Sequence, residues 1–296
     1  MALTLTEGAK LSNDVLRQGV IETIVNEDAI FDRLPFIEIV GNALTYNREN
    51  APATAAFYNV GDTWAESTPT FTQQTATLKI LGGDADVDRY IARTRSNVQD
   101  IEATVVELKA KAVAEKFRDT AMNGDTAVDT KAFDGLNKIC AVGQTASMGT
   151  NGAVITLEKL DEMIDLIRGG APDMLVMSRR TRRQITKLSR DAGSGIVQSD
   201  LDAFGRRVTF YADIPIGIND YISDDQTVGT SEDCSTVFAI RFGENGVSGI
   251  TGPDGLEVDP IGPLETKDAS RTRVKWYVAL VNFNDLALAK LIGCRA

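Results

Sequence analysis

The sequence predicts an α+β fold in which an extended ribbon and a long helix precede a mixed sheet with helices. Three observations lead to this class. Residues 45–81 are poor in large apolar side chains and alternate like a strand in their second half, and residues 96–122 have helical spacing. From residue 151 onward, helical and strand patterns alternate. The segments do not repeat internally, which indicates interleaved parts of one structure.

The composition is that of a globular protein without the residues of the commonest catalytic sites. Of 296 residues, 43% are hydrophobic and 25% are charged, so a sizeable core can form. The absence of histidine excludes Ser-His-Asp and Cys-His nucleophiles, HExxH metalloproteases and most transition-metal sites. Cys140, Cys234 and Cys294 form no CxxC pair. We therefore expect no zinc site, no disulfide framework and no cofactor.

The net charge of −11 restricts the partners of the chain. Proteins that clamp nucleic acid along a groove are usually basic, because Lys and Arg release counterions from the phosphates. An acidic chain fits a wall that encloses DNA without holding it. No stretch of 18 apolar residues and no secretory signal pattern is present. These features predict a protein of the reducing cytoplasm with no membrane partner.

The N-terminal segment is predicted to form an arm that leads into a first strand. Residues 12–31 carry apolar side chains at helical spacing. Pro35 then interrupts this pattern in RLPFIEIVG, which has the character of an extended segment.

Residues 45–81 are predicted to form a long two-stranded ribbon that needs a partner. Between Ala53 and Thr77 the large apolar side chains are only Phe57, Tyr58, Val60, Trp64 and Phe71. Such a ribbon buries too little apolar surface to offset roughly 1–2 kcal/mol of backbone entropy per residue. It is either disordered or lies on a surface supplied by another chain, and its threonine-rich alternation favours the second. Gly82-Gly83 is predicted to let the returning arm bend into the body.

The strongest helix signal covers residues 96–122. Ser96 and Gln99 match a capping box, and Asn123-Gly124 supplies a stop. The predicted apolar seam consists of Val98, Ile101, Val105, Leu108 and Ala112. About 26 residues make a helix roughly 40 Å long. The seam is too short for a coiled coil, so we expect a long amphipathic helix packed on a sheet.

Downstream elements are predicted from caps, turns and apolar runs. They are a helix capped by Thr156 and ended by Gly169-Gly170, a buried strand at 173–178, a helix capped by Ser178, a strand at 206–214 ended by Pro215, a strand at 236–242, a long strand region from Arg271 to Phe283, and the terminal LALAKLI.

The stretch LGGDADVDRYIART places Asp84, Asp86 and Asp88 at alternate positions. An EF-hand loop starting at Asp84 needs glycine at its sixth position and glutamate at its twelfth, where this chain has Arg89 and Arg95. A strand instead puts the three carboxylates on one face, with arginines of the same chain or of the next copy as counter-charges. We therefore predict an assembly contact and no metal site.

The segment RRTRRQITKLSR concentrates basic side chains at Arg179, Arg180, Arg182, Arg183, Lys187 and Arg190. DNA-reading helices have a similar composition. However, Thr181, Ile185 and Leu188 form one packing stripe, and the remainder is typical of a solvated face. In an acidic chain we expect this patch to meet an acidic patch on a neighbouring copy. The following AGSG lacks the GK[ST] of a phosphate-binding loop.

Taken together, these segments resemble the major capsid protein of tailed double-stranded DNA bacteriophages, which has the Hong Kong 97-type fold. The resemblance covers nearly the whole chain in the order of the segments and in their residue patterns. The segments that carry it are VIETIVNEDAIFDRLPFIEIV, ESTPTFTQQTATLKILGGDADVDRYI, FDGL, DMLVMSRRTRRQITKLSRD, GRRVTFYADIPI and VKWYVALVNFNDLALAKLIG.

The resemblance implies a division into named parts. They are an N-terminal arm with the first strand (1–44), an extended E-loop ribbon (45–81), a peripheral (P) domain with the spine helix (82–150), an axial (A) domain of mixed sheet and helices (151–262), and closing strands that return to the P domain (263–296).

The same resemblance implies a subunit of an icosahedral shell around double-stranded DNA. Hexamers and pentamers form through A-domain contacts, and each E-loop lies across the adjacent subunit. The candidate inter-subunit contacts are Phe57, Tyr58, Trp64, Phe71, Asp84, Asp86, Asp88, Arg89, Arg93, Arg179, Arg180, Arg182 and Arg183. The implied partners are many copies of the chain, a separate scaffolding protein, a portal and a decoration protein. The shell is a virion capsid assembled in the bacterial cytoplasm.

Two departures from the family pattern shape these expectations. Some members carry a protease-removed scaffold domain before the arm, whereas here only a short segment starting at Met1 precedes the ribbon. Assembly with a separate scaffolding protein, or with none, is therefore expected. Some members also join an E-loop lysine covalently to a P-domain asparagine. Lys79 is the only lysine of this ribbon and lies at its base, so no such cross-link is expected.

Two other functions remain open at the level of sequence. An encapsulin-like nanocompartment shell has the same fold and holds a cargo enzyme instead of a genome. A carboxylate-dependent enzyme using Mg²⁺ at Asp84, Asp86 and Asp88 belongs to a different class, and it requires that activity be lost on Asp→Asn change.

Overall fold

The computed structural model describes residues 28–95, 101–191, 197–201 and 207–295. The arm helix before residue 28, the Ser96–Gln99 capping box and the AGSG loop lie outside these residues.

Five α-helices, two short 3₁₀ helices (Val142–Gln144 and Asp285–Ala287) and fifteen strands are present in the described residues. The helices are α1 (Arg89–Arg95), α2 (Ile101–Asn123), α3 (Leu136–Ile139), α4 (Leu157–Asp165) and α5 (Arg179–Asp191). The strands are β1 (Phe36–Glu38), β2 (Ala43–Ala51), β3 (Thr70–Thr77), β4 (Lys79–Asp88), β5 (Thr145–Ser147), β6 (Ala153–Val154), β7 (Met174–Met177), β8 (Val197–Leu201), β9 (Arg207–Tyr211), β10 (Ile214–Ile218), β11 (Gln226–Val228), β12 (Ser231–Ile240), β13 (Val247–Pro263), β14 (Ala269–Asn282) and β15 (Leu288–Arg295). The α+β class is confirmed.

The strands form three sheets. The ribbon is the antiparallel pair β2–β3, in which Ala43 lies opposite Thr77 and Ala51 opposite Thr70. A four-stranded sheet has the order β1-β13-β14-β4. A nine-stranded sheet has the path β5-β15-β12-β7-β10-β9-β8, with β11 beside β12 and β6 beside β15. The predicted ribbon and first strand are therefore present.

The spine helix α2 packs on the four-stranded sheet through a face that differs from the predicted seam. Val113 and Phe117 are buried in a core with Trp276 of β14, whereas Leu108 is 39% exposed and Ala112 is exposed. The first turn of α2 packs instead in a separate small cluster with Val87. The two ends of the helix pack against different clusters, so its buried stripe shifts around the helix axis. The predicted seam, which keeps one spacing as far as Leu108 and Ala112, is therefore wrong in its second half.

Gly82 and Gly83 lie inside β4 and do not form the predicted bend. Gly82 is opposite Lys275 in β14, and an added Cβ there lies 2.5 Å from the carbonyl oxygen of Val274. A Cβ on Gly83 lies 2.5 Å from Cε of Lys109 on the spine helix. These glycines therefore allow close approach of a strand on one side and of the spine helix on the other.

The nine-stranded sheet is covered on both faces. In β7, which is buried throughout, Val176 points into the core shared with the spine helix. Leu175 and Met177 point to the other face, where Leu160 of α4 and Ile185 of α5 cover them. This alternation explains why DMLVMS reads as a continuous apolar run.

The predicted caps of α4 and α5 are confirmed. Thr156 accepts a hydrogen bond from the backbone N–H of Lys159 at 3.4 Å. The Oγ of Ser178 accepts one from the N–H of Thr181 at 3.3 Å. α4 ends at Asp165, one turn before the predicted glycine pair.

Two expectations about the later strands are wrong. Residues 206–214 do not form one strand ended by Pro215; β9 and β10 form a hairpin that turns at Ala212 and Asp213, both with positive φ. Pro215 lies within β10, opposite Phe210. The long strand β13 was missed, because its glycines and prolines resemble turn signals.

The last two strands lie in different sheets. β14 pairs with β4, and both strands contact the spine helix. β15 instead pairs with β12 in the nine-stranded sheet. β15 is buried because strands pair along both of its edges. Its apolar LALAKLI pattern predicts a buried strand but does not show to which sheet the strand belongs. The domain boundaries themselves stay a prediction.

We expect Phe117→Ala to lower the free energy of unfolding by about 3–5 kcal/mol, because it empties the centre of an aromatic cluster. The Phe117 ring contacts those of Phe31, Phe36, Phe133 and Trp276. Leu108→Ala, on the same helix, is the control and is expected to cost less than about 1 kcal/mol. Urea unfolding followed by circular dichroism measures both; equal costs would contradict the observed packing face.

Candidate subunit interfaces

Two of the three alternating aspartates lie opposite arginines of the same chain. In the antiparallel pairing of β4 with β14, Asp84 faces Arg273 and Asp86 faces Arg271. Arg271 donates to both carboxylate oxygens of Asp86 at 2.6 and 2.7 Å, and Arg273 donates to both oxygens of Asp84 at 2.7 and 3.0 Å. A guanidinium nitrogen of Arg271 also lies 3.3 Å from Asp84. Two-pronged contacts of this kind are the strongest geometry for an ion pair.

The ion pairs continue across the sheet to β13. Lys275 Nζ lies 2.6 Å from a Glu257 oxygen and 2.8 Å from an Asp259 oxygen. One face of the sheet therefore carries acidic, basic and acidic side chains on three successive strands. We call this set the charge ladder; it consists of Asp84, Asp86, Glu257, Asp259, Arg271, Arg273 and Lys275.

Five members of the ladder have a pKa shifted in the direction that keeps them ionised: Asp84, Asp86, Arg271, Arg273 and Lys275. Hydrogen bonds from Arg273 hold the pKa of Asp84 below its ordinary value, and those from Arg271 do the same for Asp86. Hydrogen bonds to Asp259 and Glu257 raise the pKa of Lys275. The carboxylates of Asp84 and Asp86 are thus occupied by guanidinium groups, and in the described residues no three His, Cys, Asp or Glu side chains group as metal ligands.

Asp88 has a different role from the other two aspartates. Its carboxylate accepts a hydrogen bond from the backbone N–H of Tyr90 at 2.8 Å, which is the position of an N-cap for α1. The next residue, Arg89, lies 3.6 Å from Asp268 in an exposed ion pair. Arg93 is exposed on α1. The helix α1 was not predicted from the sequence. The signal for it is an aspartate, Asp88, in a capping position before a run of residues that contains no glycine or proline.

The base of the ribbon is fixed to the body of the same chain by residues that sequence reasoning missed. Arg48 in β2 forms an ion pair with Asp285 at 2.7 Å and donates to the carbonyl of Phe283 at 3.0 Å. The hydroxyl of Tyr46 donates to the carbonyl of Asn282 at 3.2 Å, and its ring meets that of Phe283. The signal was available in TYNREN: a tyrosine and an arginine two residues apart share one face of a strand.

Beyond this base, the ribbon leaves its apolar side chains in solvent. Phe57 and Val60 are fully exposed, Trp64 is 78% exposed and Phe71 is 66% exposed. The Trp64 ring stacks on Tyr58 with centroids 4.4 Å apart, and the Tyr58 hydroxyl accepts from the N–H of Ala65. The tip is therefore ordered by its own contacts while it presents apolar surface outward.

The basic helix α5 divides its arginines between internal and external roles. Arg179 donates to both carboxylate oxygens of Asp220, and Arg180 donates to the backbone carbonyls of Asp224 and Asp233. Arg182 and Arg183 are exposed. Thr181 and Ile185 are buried beneath them, as the packing stripe required. The structure thus places part of the predicted patch in ion pairs within the chain and leaves the rest on the surface.

A groove of about 690 Å³ runs beside the charge ladder. It is lined by Ile80, Arg273 and Tyr277 among others, and Ile80 is 78% exposed. A smaller cavity of about 320 Å³ has an apolar lining that includes Phe31, Phe36 and Trp276.

The three cysteines are free and buried. Burial raises the pKa of the Cys294 thiol to about 12, so this thiol stays protonated. None of the helices in the described residues is long and apolar enough to cross a membrane.

Comparison with protein-family models matches residues 8–238 to a family described as the phage capsid family. No curated protein sequence matches the chain.

Solved structures share the fold over the whole chain. The SrpI encapsulin of Synechococcus elongatus superposes with a TM-score of 0.76 and 18% identity, covering 100% of this chain and 97% of that one. The capsid of a native GTA particle gives 0.70 and 16%, covering 98% and 97%. The capsid of cyanophage A-1(L) gives 0.71 and 11%, covering 99% and 100%. The Hong Kong 97-type resemblance is thereby confirmed at the level of the fold.

We expect Asp86→Asn to lower the free energy of unfolding by about 1–2 kcal/mol, because it removes charge-assisted hydrogen bonds within the ladder. Asp88→Asn is the matched control, since asparagine caps a helix as well as aspartate does. Equal effects of the two changes in urea unfolding would contradict the ladder.

The pH dependence gives the second readout of the same prediction. Because the folded-state pKa values of Asp84 and Asp86 lie below the ordinary 3.8, their contribution is fully present above that value and is lost as pH falls through the folded values. We expect wild-type stability to fall more steeply below about pH 4 than that of Asp84→Asn/Asp86→Asn. Parallel curves would contradict this account.

Proposed function

The chain belongs to the phage capsid family, and from that premise we propose that its copies assemble as hexamers and pentamers into an icosahedral shell enclosing double-stranded DNA. The observation that carries the proposal is the ribbon, an ordered element whose apolar tip and outer strand are not covered by any other part of the described residues.

The ribbon alone is a poor structural unit. Seven of the eight residues of β3 are exposed. A two-stranded ribbon is marginal in water, and each ordered residue costs roughly 1–2 kcal/mol of backbone entropy. Burial of Phe57, Val60 and Trp64 against a second copy supplies the missing apolar contacts, at about 25 cal/mol for each Å² removed from water.

The adjacent subunit offers a surface that suits the ribbon. The groove beside the charge ladder combines apolar side chains with charged ones, and Thr and Gln side chains of β3 can hydrogen-bond to such a surface. The eight paired positions of the ribbon extend it about 27 Å at roughly 3.4 Å per residue, before the tip is counted. The ribbon is thus long enough to cross a subunit boundary.

The chemistry of the chain supports containment of DNA without sequence-specific binding. The net charge of −11 disfavours adhesion to phosphates, so a packed genome stays free to leave. The family is one of structural capsid proteins, and we assign the chain no enzymatic role. A separate scaffolding protein, a portal and a decoration protein are the further partners, and assembly takes place in the host cytoplasm.

An encapsulin-like compartment is the second candidate, and the likeness to the SrpI encapsulin favours it specifically. The two candidates share the shell and differ in its content. Nuclease-protected DNA inside purified particles supports the capsid, whereas a co-purifying protein cargo without DNA supports the compartment.

We expect the purified protein to form closed shells or capsomer rings in negative-stain microscopy, and removal of the ribbon tip to abolish them. In the variant, Asn-Gly replaces residues 52–69, because a two-residue turn closes the strand pair at Ala51 and Thr70. The anchors at Arg48 and Tyr46 remain, so the variant keeps a cooperative thermal transition within about 4 °C of wild type.

Phe57→Ala/Trp64→Ala is the milder companion, expected to reduce shell yield without affecting the melting transition. A wild-type monomer whose residues 50–80 resist protease would contradict the proposal. So would a tip-deleted variant that assembles normally.

A further inference from the structure

The nine-stranded sheet carries two helices of opposite charge on one of its faces. Leu160 of α4 and Ile185 of α5 are buried in the same core, which places both helices on the same side of the sheet. α4 packs on β15 and β5, and α5 packs on β10 and β8. Since β5 and β8 end the path of the sheet, α4 lies toward one edge and α5 toward the other.

Each helix carries three charged residues along one exposed face. Glu158, Glu162 and Asp165 are exposed on α4 at spacings of four and three residues, so they share one helix face, which we call the acidic stripe. On α5, Arg183, Lys187 and Arg190 are exposed at the same spacings and form the basic stripe.

The stripes are almost unused within the chain. In the described residues the only ion pair of either stripe joins Glu162 to Lys159 on the same helix. Neither stripe pairs with the other, although both helices cover one core. The basic stripe is a local concentration of positive charge in a chain whose net charge is −11. The overall acidity of the surface therefore does not account for it.

From this arrangement we infer that the acidic stripe of one copy binds the basic stripe of the next copy around a capsomer ring. The inference rests on the ring assembly proposed above. In a cyclic ring each subunit meets its neighbours through two different surfaces. The inferred contact makes these surfaces the two opposite edges of the nine-stranded sheet, where the two stripes lie. The α4 layer of one copy then continues into the α5 layer of its neighbour, at the usual helix separation of about 8–10 Å.

The proposed contact explains the sign and the position of both stripes. Long Glu, Arg and Lys side chains span the gap between neighbouring helices, and complementary charge fixes the register and favours the head-to-tail arrangement over self-association of like surfaces. Two α5 helices or two α4 helices repel each other, which suppresses face-to-face dimers that cannot close a ring.

Charge reversal tests the contact. The first variant carries Arg183→Glu and Lys187→Glu, and the second carries Glu158→Lys and Asp165→Lys, which leaves the Lys159–Glu162 pair in place. The third variant combines all four changes, so its net charge equals that of the wild type. It therefore separates the effect of complementary charge from the effect of total charge. Assembly is measured by sizing and negative-stain microscopy, folding by thermal unfolding, and encapsidated DNA by nuclease protection.

We expect the first variant and the second variant, each reversed in one stripe, to lower the yield of rings and shells at least about tenfold. A tenfold loss corresponds to a cost of about 1.4 kcal/mol at each contact. The combined variant restores the yield to within about threefold of wild type. Mixing the two single variants restores six-membered rings, because complementary surfaces meet when the chains alternate, but not five-membered rings, where alternation fails.

Other outcomes overturn the inference and leave the proposed function intact. The inference is overturned if the first and the second variant both assemble as well as the wild type. It is also overturned if the third variant assembles no better than the first or the second. Normal shells with lost DNA in the first variant assign the basic stripe to nucleic acid instead. A wild-type protein that forms no rings removes the proposed function and this contact together.

Discussion

The ribbon is held at its base by its own chain but is left uncovered by the part of the chain that the structure describes, and this constraint shapes the rest of the structure. Its base is pinned by Arg48 and Tyr46 to the backbone at the end of β14. Its outer strand and tip remain exposed, with Phe57 and Val60 wholly in solvent. Order without a core costs conformational entropy that only a second surface can offset. Assembly is therefore implied by the folding of a single subunit.

The body of the subunit supplies a stiff platform for such assembly. The charge ladder ties β4, β14 and β13 together on one face of the sheet, while the spine helix packs on the other face around Phe117 and Trp276. Gly83 admits the helix closely enough for this packing. The aspartates that suggested a metal loop are thus part of the internal bracing of the platform, and Asp88 begins the helix that follows.

Sequence patterns predicted the ribbon, the spine helix, β7, the caps at Thr156 and Ser178, and the α+β class, because local spacing and capping chemistry determine these features. They failed where tertiary contacts decide the outcome. The packing face of α2 depends on two separate clusters that one periodicity does not describe. Pro215 sits inside β10, and the glycines and prolines of β13 sit in a strand, because pairing partners override turn signals. The partners of Asp84 and Asp86 came from β14, far along the chain, which alternation on β4 alone does not reveal.

Hydrogen exchange of the ribbon amides, measured in the free subunit and in assembled particles, tests the central claim most directly. In the free subunit, amides of β2–β3 and the tip exchange fast, because the ribbon has no apolar cover. Assembly is predicted to slow exchange at the tip residues 52–69 and at β3, while amides of the buried strand β7 change little. Equal exchange of the tip in both states would contradict the claim that a second copy covers the ribbon.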